Sequence, residues 1–134
     1  VENSLRADPD QKTVYLGDFN IAPRDEDVWN IDFFAGKTHV TEPERIVFEG
    51  LIEAGLTEVT RPLTEQRFTY WDYKGFRFQK GEGMRIDFQL ATPALAPMAT
   101  HAFIDVEERA GKGASDHAPV VVDYVEKATF DEVR

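Results

Sequence analysis

Apolar residues along the chain fall into short runs of two kinds, one typical of strands and the other of an amphipathic helix. Residues 12–17 (KTVYLG) are strand-forming and lead into Asp18 and Asn20. Thr41 begins a capping-box sequence, and the apolar residues after it repeat at helical spacing as far as Gly55. The first part of the chain is therefore predicted to form a strand and then one clear helix.

Further along the chain, several runs resemble strands. Residues 67–73 and 84–91 are rich in strand-forming residues, and the Gly-containing loop between them predicts a hairpin with a long connection. Apolar and polar side chains alternate within residues 84–91, so Asp87 lies on the polar face of a strand and needs a partner. Residues 101–106 and 118–125 predict two more strands, which makes the fold class α/β or α+β.

Length and composition are those of one globular domain. The 134 residues are 42% hydrophobic and 12% aromatic, which supplies material for a core. No apolar run approaches the roughly 20 residues that cross a bilayer, so no membrane partner is expected. The absence of cysteine excludes thiol chemistry, and a cytoplasmic location is the default expectation. The charged tail after Glu126 is expected to fray or to lie on the surface.

Charge is distributed unevenly. The net charge of -10 argues against nucleic-acid binding through an overall basic surface. Residues 74–85 are the exception, because they contain only one acid, Glu82, and four cations. These cations are Lys74, Arg77, Lys80 and Arg85. A polyanion would meet the protein there, although an ordinary solvated loop explains the same charges.

Three polar clusters contain residues suited to hydrolysis. Asp18 and Asn20 follow the first strand, Asp87 lies within a strand, and Asp116 and His117 precede the last strand. Together they indicate a metal-assisted phosphodiester hydrolase, because that chemistry uses a base, an orienting acid and oxygen ligands for a hard cation. Asp87 behind His117 would fix the imidazole ring and stabilise its charged form.

Each cluster also has a structural explanation. Asp and Asn after a strand commonly cap a turn, and residues 115–119 (SDHAP) would equally form a polar loop stiffened by proline. His39 and His101 lack acidic company of this kind and are interpreted as structural or surface residues.

Four strings of residues stand in a characteristic order. They are GDFN at 17–20, FTYWDY at 68–73, RID at 85–87 and SDHAPV at 115–120. In this order and spacing the chain resembles the exodeoxyribonuclease III family of abasic-site endonucleases, within the endonuclease/exonuclease/phosphatase superfamily. The first and last strings are shared across the superfamily, and the two middle strings point to the DNA-repair branch.

The resemblance implies roles for the matching residues. His117 would activate or orient the attacking water, paired with Asp87. Asp18 and Asn20 would hold the nucleophile and the scissile phosphate. Asp116 would lie with His117 at a site for Mg²⁺ or Mn²⁺.

The resemblance also implies how substrate binds. Four side chains would surround a pocket for an extruded baseless sugar, which selects by shape; they are Tyr70, Trp71, Met84 and Ile86. The basic residues would grip phosphates of double-stranded DNA that carries abasic sites; they are Lys74, Arg77, Lys80 and Arg85.

Family members are about twice as long as this chain. Residues 1–134 are therefore expected to be the C-terminal half of a four-layer α/β sandwich, with one mixed, mostly antiparallel sheet and its helix. The main metal-binding carboxylate would lie in the missing half, so this half alone is expected to be inactive and to bind Mg²⁺ weakly. Its uncovered sheet face is expected to favour self-association.

Three functions remain open at this point. The leading one is an abasic-site endonuclease and 3'-exonuclease. The second is a small-molecule phosphatase of the same superfamily, which would not need the residues of the sugar pocket. The third is a non-catalytic interaction module, in which the polar clusters only cap backbone groups.

Overall fold

A computed structural model describes residues 1–126 of the 134-residue chain. Its five strands form two antiparallel sheets. The first sheet has the order β1-β3-β2, and the second pairs β4 with β5. The strands are β1 (Val14–Asp18), β2 (Thr57–Glu58), β3 (Asp87–Ala91), β4 (Ala99–Ile104) and β5 (Val120–Tyr124). The tail after Glu126, for which fraying was predicted, lies outside the described residues.

One helix dominates, as the sequence predicts. It is α2, and Thr41 caps it by accepting a hydrogen bond from the backbone N–H of Glu44. The four helices are α1 (Glu2–Ala7), α2 (Glu42–Glu53), α3 (Arg77–Lys80) and α4 (Val106–Ala110). Short 3₁₀ turns lie at Asp25–Asp27, Ile31–Phe34, Arg61–Leu63, Lys74–Phe76 and Ala96–Met98. Within residues 1–126, no helix has the length and apolar character needed to cross a membrane.

The predicted hairpin of residues 67–73 with residues 84–91 is reduced to one antiparallel bridge, between Tyr70 and Met84. Tyr70 makes isolated bridges to two different segments, at Met84 and at His117, and Trp71 donates its N–H to the carbonyl of Asp116. Because the backbone here bonds alternately to two neighbours, no regular strand forms. The connection folds into helical turns instead of an open loop. The expectation of a single sheet is also corrected, since the strands divide into two sheets.

Strand β3 is central to the first sheet and is buried on both faces. Phe88 and Leu90 pack against Phe48 of α2, which gives the apolar face that the alternation predicted. The polar face is buried too, because Gln89 donates to the carbonyl of Val120 and accepts from Tyr124 of β5. This strand therefore fixes α2 on one side and β5 on the other.

Strand β1 is much less covered than β3. It lies at the edge of the first sheet as described, and four of its five residues are exposed. Leu16 is 62% exposed, which is high for a leucine on a strand. An apolar strand with an unpaired edge is a surface prone to pairing with other chains.

Candidate active site

Two carboxylates face each other across the first sheet. In the antiparallel register of β1 and β3, Asp18 is the direct partner of Asp87. Like charges directly opposite on a sheet repel and destabilise the pair. The register therefore creates a position at which a positively charged or proton-donating group is stabilising.

His117 occupies that position. Its Nδ1 lies 2.8 Å from Oδ2 of Asp87, and its Nε2 lies 3.5 Å from Oδ2 of Asp18. The predicted hydrogen bond between Asp87 and His117 is thus confirmed. Oδ1 of Asp116 is 3.9 Å from Nε2, so three acids lie around one imidazole.

Thr69 holds the segments that carry this pair. Its hydroxyl oxygen accepts hydrogen bonds from the backbone N–H groups of Ile86 and Asp87, at 3.1 and 3.2 Å. Its carbonyl accepts from the N–H of Ala118, next to His117. Sequence reasoning missed this residue, because a lone threonine in an aromatic string carries no signal for such contacts.

Burial changes the proton affinity of the acid behind the histidine. Removal from water raises the pKa of Asp87, while hydrogen bonds from Thr69 and His117 act in the opposite direction. We assign the proton of the imidazole to Nδ1, because that nitrogen faces an acceptor carboxylate at 2.8 Å. Nε2, which faces Asp18 and Asp116, then carries the lone pair.

Asp18 and Asn20 form a tight turn after β1. The N–H of Asn20 donates to Oδ1 of Asp18 at 2.8 Å, which leaves Oδ2 directed toward His117. Asn20 has a φ of 54°, in the left-handed region that Asn tolerates better than most residues. Both side chains are exposed, so both are accessible to a substrate.

Tyr70 borders the histidine on another side. Its ring centroid is 5.1 Å from that of His117. Burial, together with the charges of Asp72, Asp116 and Asp18, raises the pKa of Tyr70. The phenol therefore keeps its proton at neutral pH and presents a hydrogen-bond donor beside the acids.

Only part of the predicted sugar pocket surrounds a common cavity. Tyr70 and Met84 line a cavity of about 270 Å³. Trp71 does not, because it is buried against Ile104 and Ala118 in a separate cluster. Ile86 is 2% exposed and belongs to the core around Val28. Placing Trp71 and Ile86 in the pocket was therefore wrong.

Other residues complete the cavity wall, and sequence reasoning missed them. Trp29 and Phe33 line it, and their rings lie 4.9 Å apart. His39, interpreted from the sequence as structural or surface, also lines it, while its Nδ1 lies 2.7 Å from the carbonyl oxygen of Asn20. Residues 29–34 (WNIDFF) are rich in aromatic side chains, but the sequence alone does not show that these side chains lie beside Tyr70 and Met84.

Only some of the basic side chains in residues 74–85 are exposed to solvent. Lys74 and Lys80 are exposed, and Arg77 is half-buried beside Glu82 at 3.1 Å. Arg85 points inward, is 4% exposed, and donates to the carbonyl of Gln66 and the hydroxyl of Thr60. A DNA contact by Arg85 is therefore corrected to a buried structural role.

One group of side chains could hold a metal ion. Ligand atoms of Asp18, Asp87 and His117 lie within 4.8 Å of one another. Asp116, the predicted ligand, is outside this group although it lies near the ring. Mg²⁺ is commonly held by one or two carboxylates together with waters and phosphate oxygens. Asp18 fits that pattern, because its carboxylate is exposed, whereas Asp87 is already bonded to His117.

The arrangement is suited to removing a proton from water. An imidazole with its Nδ1 proton held by a buried carboxylate presents a basic Nε2, and the charged ring that results is stabilised by the same carboxylate. Asp18 offers an acceptor 3.5 Å from that nitrogen, and the Tyr70 ring lies beside the imidazole.

Known proteins share this architecture. Exodeoxyribonuclease III of Haemophilus influenzae is 29% identical over 126 residues, covering 87% of this chain and 47% of the relative. The structure of the 3'-5' exonuclease NExo of Neisseria meningitidis superposes with a TM-score of 0.84 at 36% identity, covering 93% of this chain and 50% of that one. For an AP endonuclease from Archaeoglobus fulgidus the TM-score is 0.80 at 30% identity, covering 93% and 51%.

These relatives are longer than this chain. The chain spans about half the length of each of them. The family model described as Endonuclease/Exonuclease/phosphatase family matches residues 2–117, which include β1, α2, β3 and His117. With this match and the strand-borne acids around an imidazole, the chain belongs to the endonuclease/exonuclease/phosphatase family.

Proposed function

We propose that this chain is the histidine-bearing, C-terminal half of a metal-dependent DNA-repair phosphodiesterase, with abasic-site endonuclease and 3'-exonuclease activities. The observation that carries the proposal is His117 held between Asp87 and Asp18, at 2.8 and 3.5 Å. The named activities of the exonuclease and AP endonuclease relatives agree with it. A cytoplasmic location is part of the same proposal.

In the proposed reaction, a water molecule attacks the phosphorus of a DNA phosphodiester. Nε2 of His117 takes the proton from the water as the water oxygen bonds to phosphorus. The bond from phosphorus to the sugar oxygen breaks, and that departing oxygen takes a proton from solvent water. Asp87 keeps the ring oriented and stabilises the imidazolium. Asp18 and Asn20 orient the water and the phosphate from the turn after β1.

A Mg²⁺ or Mn²⁺ ion, held on this chain by Asp18 with Asp116 nearby, would stabilise negative charge on the phosphate. We propose that the isolated chain holds such an ion weakly. Asp87 and Nδ1 of His117 are occupied with each other, which leaves few free charged ligands.

The DNA substrate would be positioned through the exposed part of the basic segment. Lys74 and Lys80 are exposed, and Arg77, paired with Glu82, lines the cavity, while the rest of the chain is strongly acidic. Contacts of this kind position the duplex without reading its sequence. Double-stranded DNA with an abasic site is the proposed partner.

The proposal is tested by incision of a duplex that carries one abasic site, at millimolar Mg²⁺. We expect no incision by the 134-residue chain alone and metal-dependent incision when the N-terminal half is supplied as a separate polypeptide. His117→Ala should abolish turnover with little change in DNA affinity. His101→Ala, at an exposed position on β4, is the matched control and should leave turnover unchanged.

Three results would contradict the proposal. Incision by the chain alone that His117→Ala abolishes would show that the site needs no second half. Activity that survives His117→Ala would overturn the role of the histidine. Faster cleavage of a soluble phosphoester than of DNA would favour the small-molecule phosphatase.

A further inference from the structure

The turn that carries Asp18 and Asn20 is held by a histidine from another part of the chain. Nδ1 of His39 lies 2.7 Å from the carbonyl oxygen of Asn20. A carbonyl oxygen only accepts hydrogen bonds, so we assign the ring proton to Nδ1, which donates it to Asn20. The side chain of His39 therefore fixes the backbone of Asn20, 19 residues earlier in the chain.

His39 is fixed in turn by helix α2 and by the segment that follows the turn. Its backbone N–H donates to both carboxylate oxygens of Glu44, at 2.9 and 3.0 Å, and its carbonyl accepts from the N–H of Ala22 at 2.9 Å. The hydroxyl of Thr41, and to a smaller extent the N–H of His39, lower the pKa of Glu44, so this acceptor stays ionised at neutral pH. The imidazole is thus connected to the N-terminus of α2.

Two residues with left-handed backbones meet in this contact. Asn20 has a φ of 54° and His39 a φ of 77°, and Phe76 is the one other non-glycine residue within residues 1–126 that has a positive φ. Such conformations are unfavourable for residues with a side chain, so they persist where surrounding contacts hold them, and they are concentrated at functional sites. Without the donor from His39, the turn loses a contact that holds Asn20 in this conformation.

The conformation of Asn20 decides what the turn presents to a substrate. Its N–H donates to Oδ1 of Asp18 at 2.8 Å, and Oδ2 of Asp18 lies 3.5 Å from Nε2 of His117. The side-chain amide of Asn20 is exposed and makes no hydrogen bond within residues 1–126, so it is available to donate to a phosphate oxygen. A change in φ at Asn20 would move both this amide and the N–H that orients Asp18.

We propose that His39 is a positioning residue of the phosphodiesterase site. Its Nδ1–H holds the carbonyl of Asn20, and this keeps the carboxylate of Asp18 and the amide of Asn20 in the arrangement that meets the water and the phosphate. The inference rests on the proposed function and adds to it a residue that acts through Asn20 without touching the reacting atoms. Helix α2 supplies the support, because Glu44 at its N-terminus fixes the backbone of His39.

Three substitutions at His39 separate the donor from the shape of the side chain. His39→Gly removes the ring, and glycine adopts a φ of 77° without strain. His39→Asn restores a donor nitrogen bonded to Cγ, as Nδ1 is, and asparagine also tolerates the left-handed region. His39→Asp is the matched control, because it has nearly the same size and shape as His39→Asn but only accepts hydrogen bonds at neutral pH.

The first measurement follows isotope-labelled asparagine in NMR spectra of the 134-residue chain. The asparagines are Asn3, Asn20 and Asn30, and an Asn20→Asp variant identifies the Asn20 signals. We expect His39→Gly and His39→Asp to shift or broaden the backbone and side-chain signals of Asn20. His39→Asn should leave them close to their original positions. Asn3, in α1, is the internal control and should not change.

The second measurement is incision of the abasic duplex by the two halves together. His39→Gly and His39→Asp should lower kcat by about tenfold to a hundredfold with little change in KM, because a misplacement of about 1 Å costs this much in a positioned site. His39→Asn should recover most of the lost kcat. A histidine that only stabilises the fold would instead lower the free energy of unfolding and leave kcat per folded molecule unchanged.

Unchanged Asn20 signals in His39→Gly would overturn the contact on which the inference depends. Equal kcat for His39→Asn and His39→Asp would overturn the role of the donor, and this comparison does not require His39→Gly to fold. The two proposals fail in different ways. No incision by the unmodified halves would refute the phosphodiesterase, whereas the Asn20 signals would still decide whether His39 holds the turn.

Discussion

At the scale of single residues, Asp87 orients His117 but lowers the stability of the folded chain when it is ionised. Its carboxylate supports His117 at 2.8 Å, yet burial raises its pKa above the ordinary value of 3.8. The folded chain therefore binds this proton more tightly than the unfolded chain does. Ionised Asp87 lowers stability above its folded pKa, and this cost disappears as the pH falls toward 3.8.

Asp87→Asn should therefore raise the free energy of unfolding at neutral pH, because the amide removes a partly buried charge and still accepts from Nδ1 of His117. The advantage over the unmodified chain should shrink on acidification and vanish below the unfolded pKa. Urea unfolding at several pH values measures this. A variant that is less stable at neutral pH, or an advantage that grows in acid, would refute the account.

Thr69 is a second residue whose side chain affects stability, because its hydroxyl accepts two backbone hydrogen bonds. Thr69→Val should lower the free energy of unfolding by about 2 kcal/mol or more, since the N–H groups of Ile86 and Asp87 lose their acceptor inside the protein. Thr69→Ser keeps the acceptor and should cost about 1 kcal/mol or less. Equal losses for the two variants in urea unfolding would mean that the methyl group, not the hydroxyl, is responsible.

At the scale of elements, close packing leaves no room for a side chain at Gly83. A Cβ there would lie 2.6 Å from Nε1 of Trp71 and 2.7 Å from Cβ of Phe68. Gly83 also accepts a hydrogen bond from the N–H of Trp29, so this close approach joins one wall of the cavity to the core.

Gly83→Ala should thus destabilise the chain by about 1–3 kcal/mol through overpacking. Gly50→Ala is the matched control, because Gly50 lies on the exposed face of α2 with nothing within 4 Å of a new Cβ. It should stabilise by up to about 1 kcal/mol through helix propensity. Thermal unfolding distinguishes the two, and a stable Gly83→Ala variant would show that Trp71 can move aside.

Elements with a strong local signal were predictable from the sequence. The cap at Thr41 and the helical apolar spacing gave α2, and an acid within a strand correctly required a partner, His117. The directions of Trp71 and Arg85 were not predictable, because segments 69–71 and 84–86 bond to several neighbours instead of forming one hairpin. The cavity wall at Trp29 depends on its contact with Gly83, distant in sequence.

At the scale of the whole molecule, we expect β1, an edge strand among the described residues, to favour self-association. Leu16 is 62% exposed on β1, so we expect light scattering to show an apparent mass that rises with protein concentration. Leu16→Lys should reduce this association, because an edge lysine opposes strand pairing. Ile46→Lys is the control, since Ile46 is equally exposed but lies on α2. A monomer at every concentration, or an equal effect of both variants, would contradict the expectation.

The pairing of Asp18 with Asp87 has a consequence for how the chain folds. Their strands are joined by a loop of roughly 70 residues, whose closure costs entropy before any contact rewards it. Folding that depends on such distant contacts is slow. His117 arrives from another 30 residues beyond Asp87. We therefore expect the cluster of Asp18, Asp87 and His117 to be among the last parts of the chain to assemble.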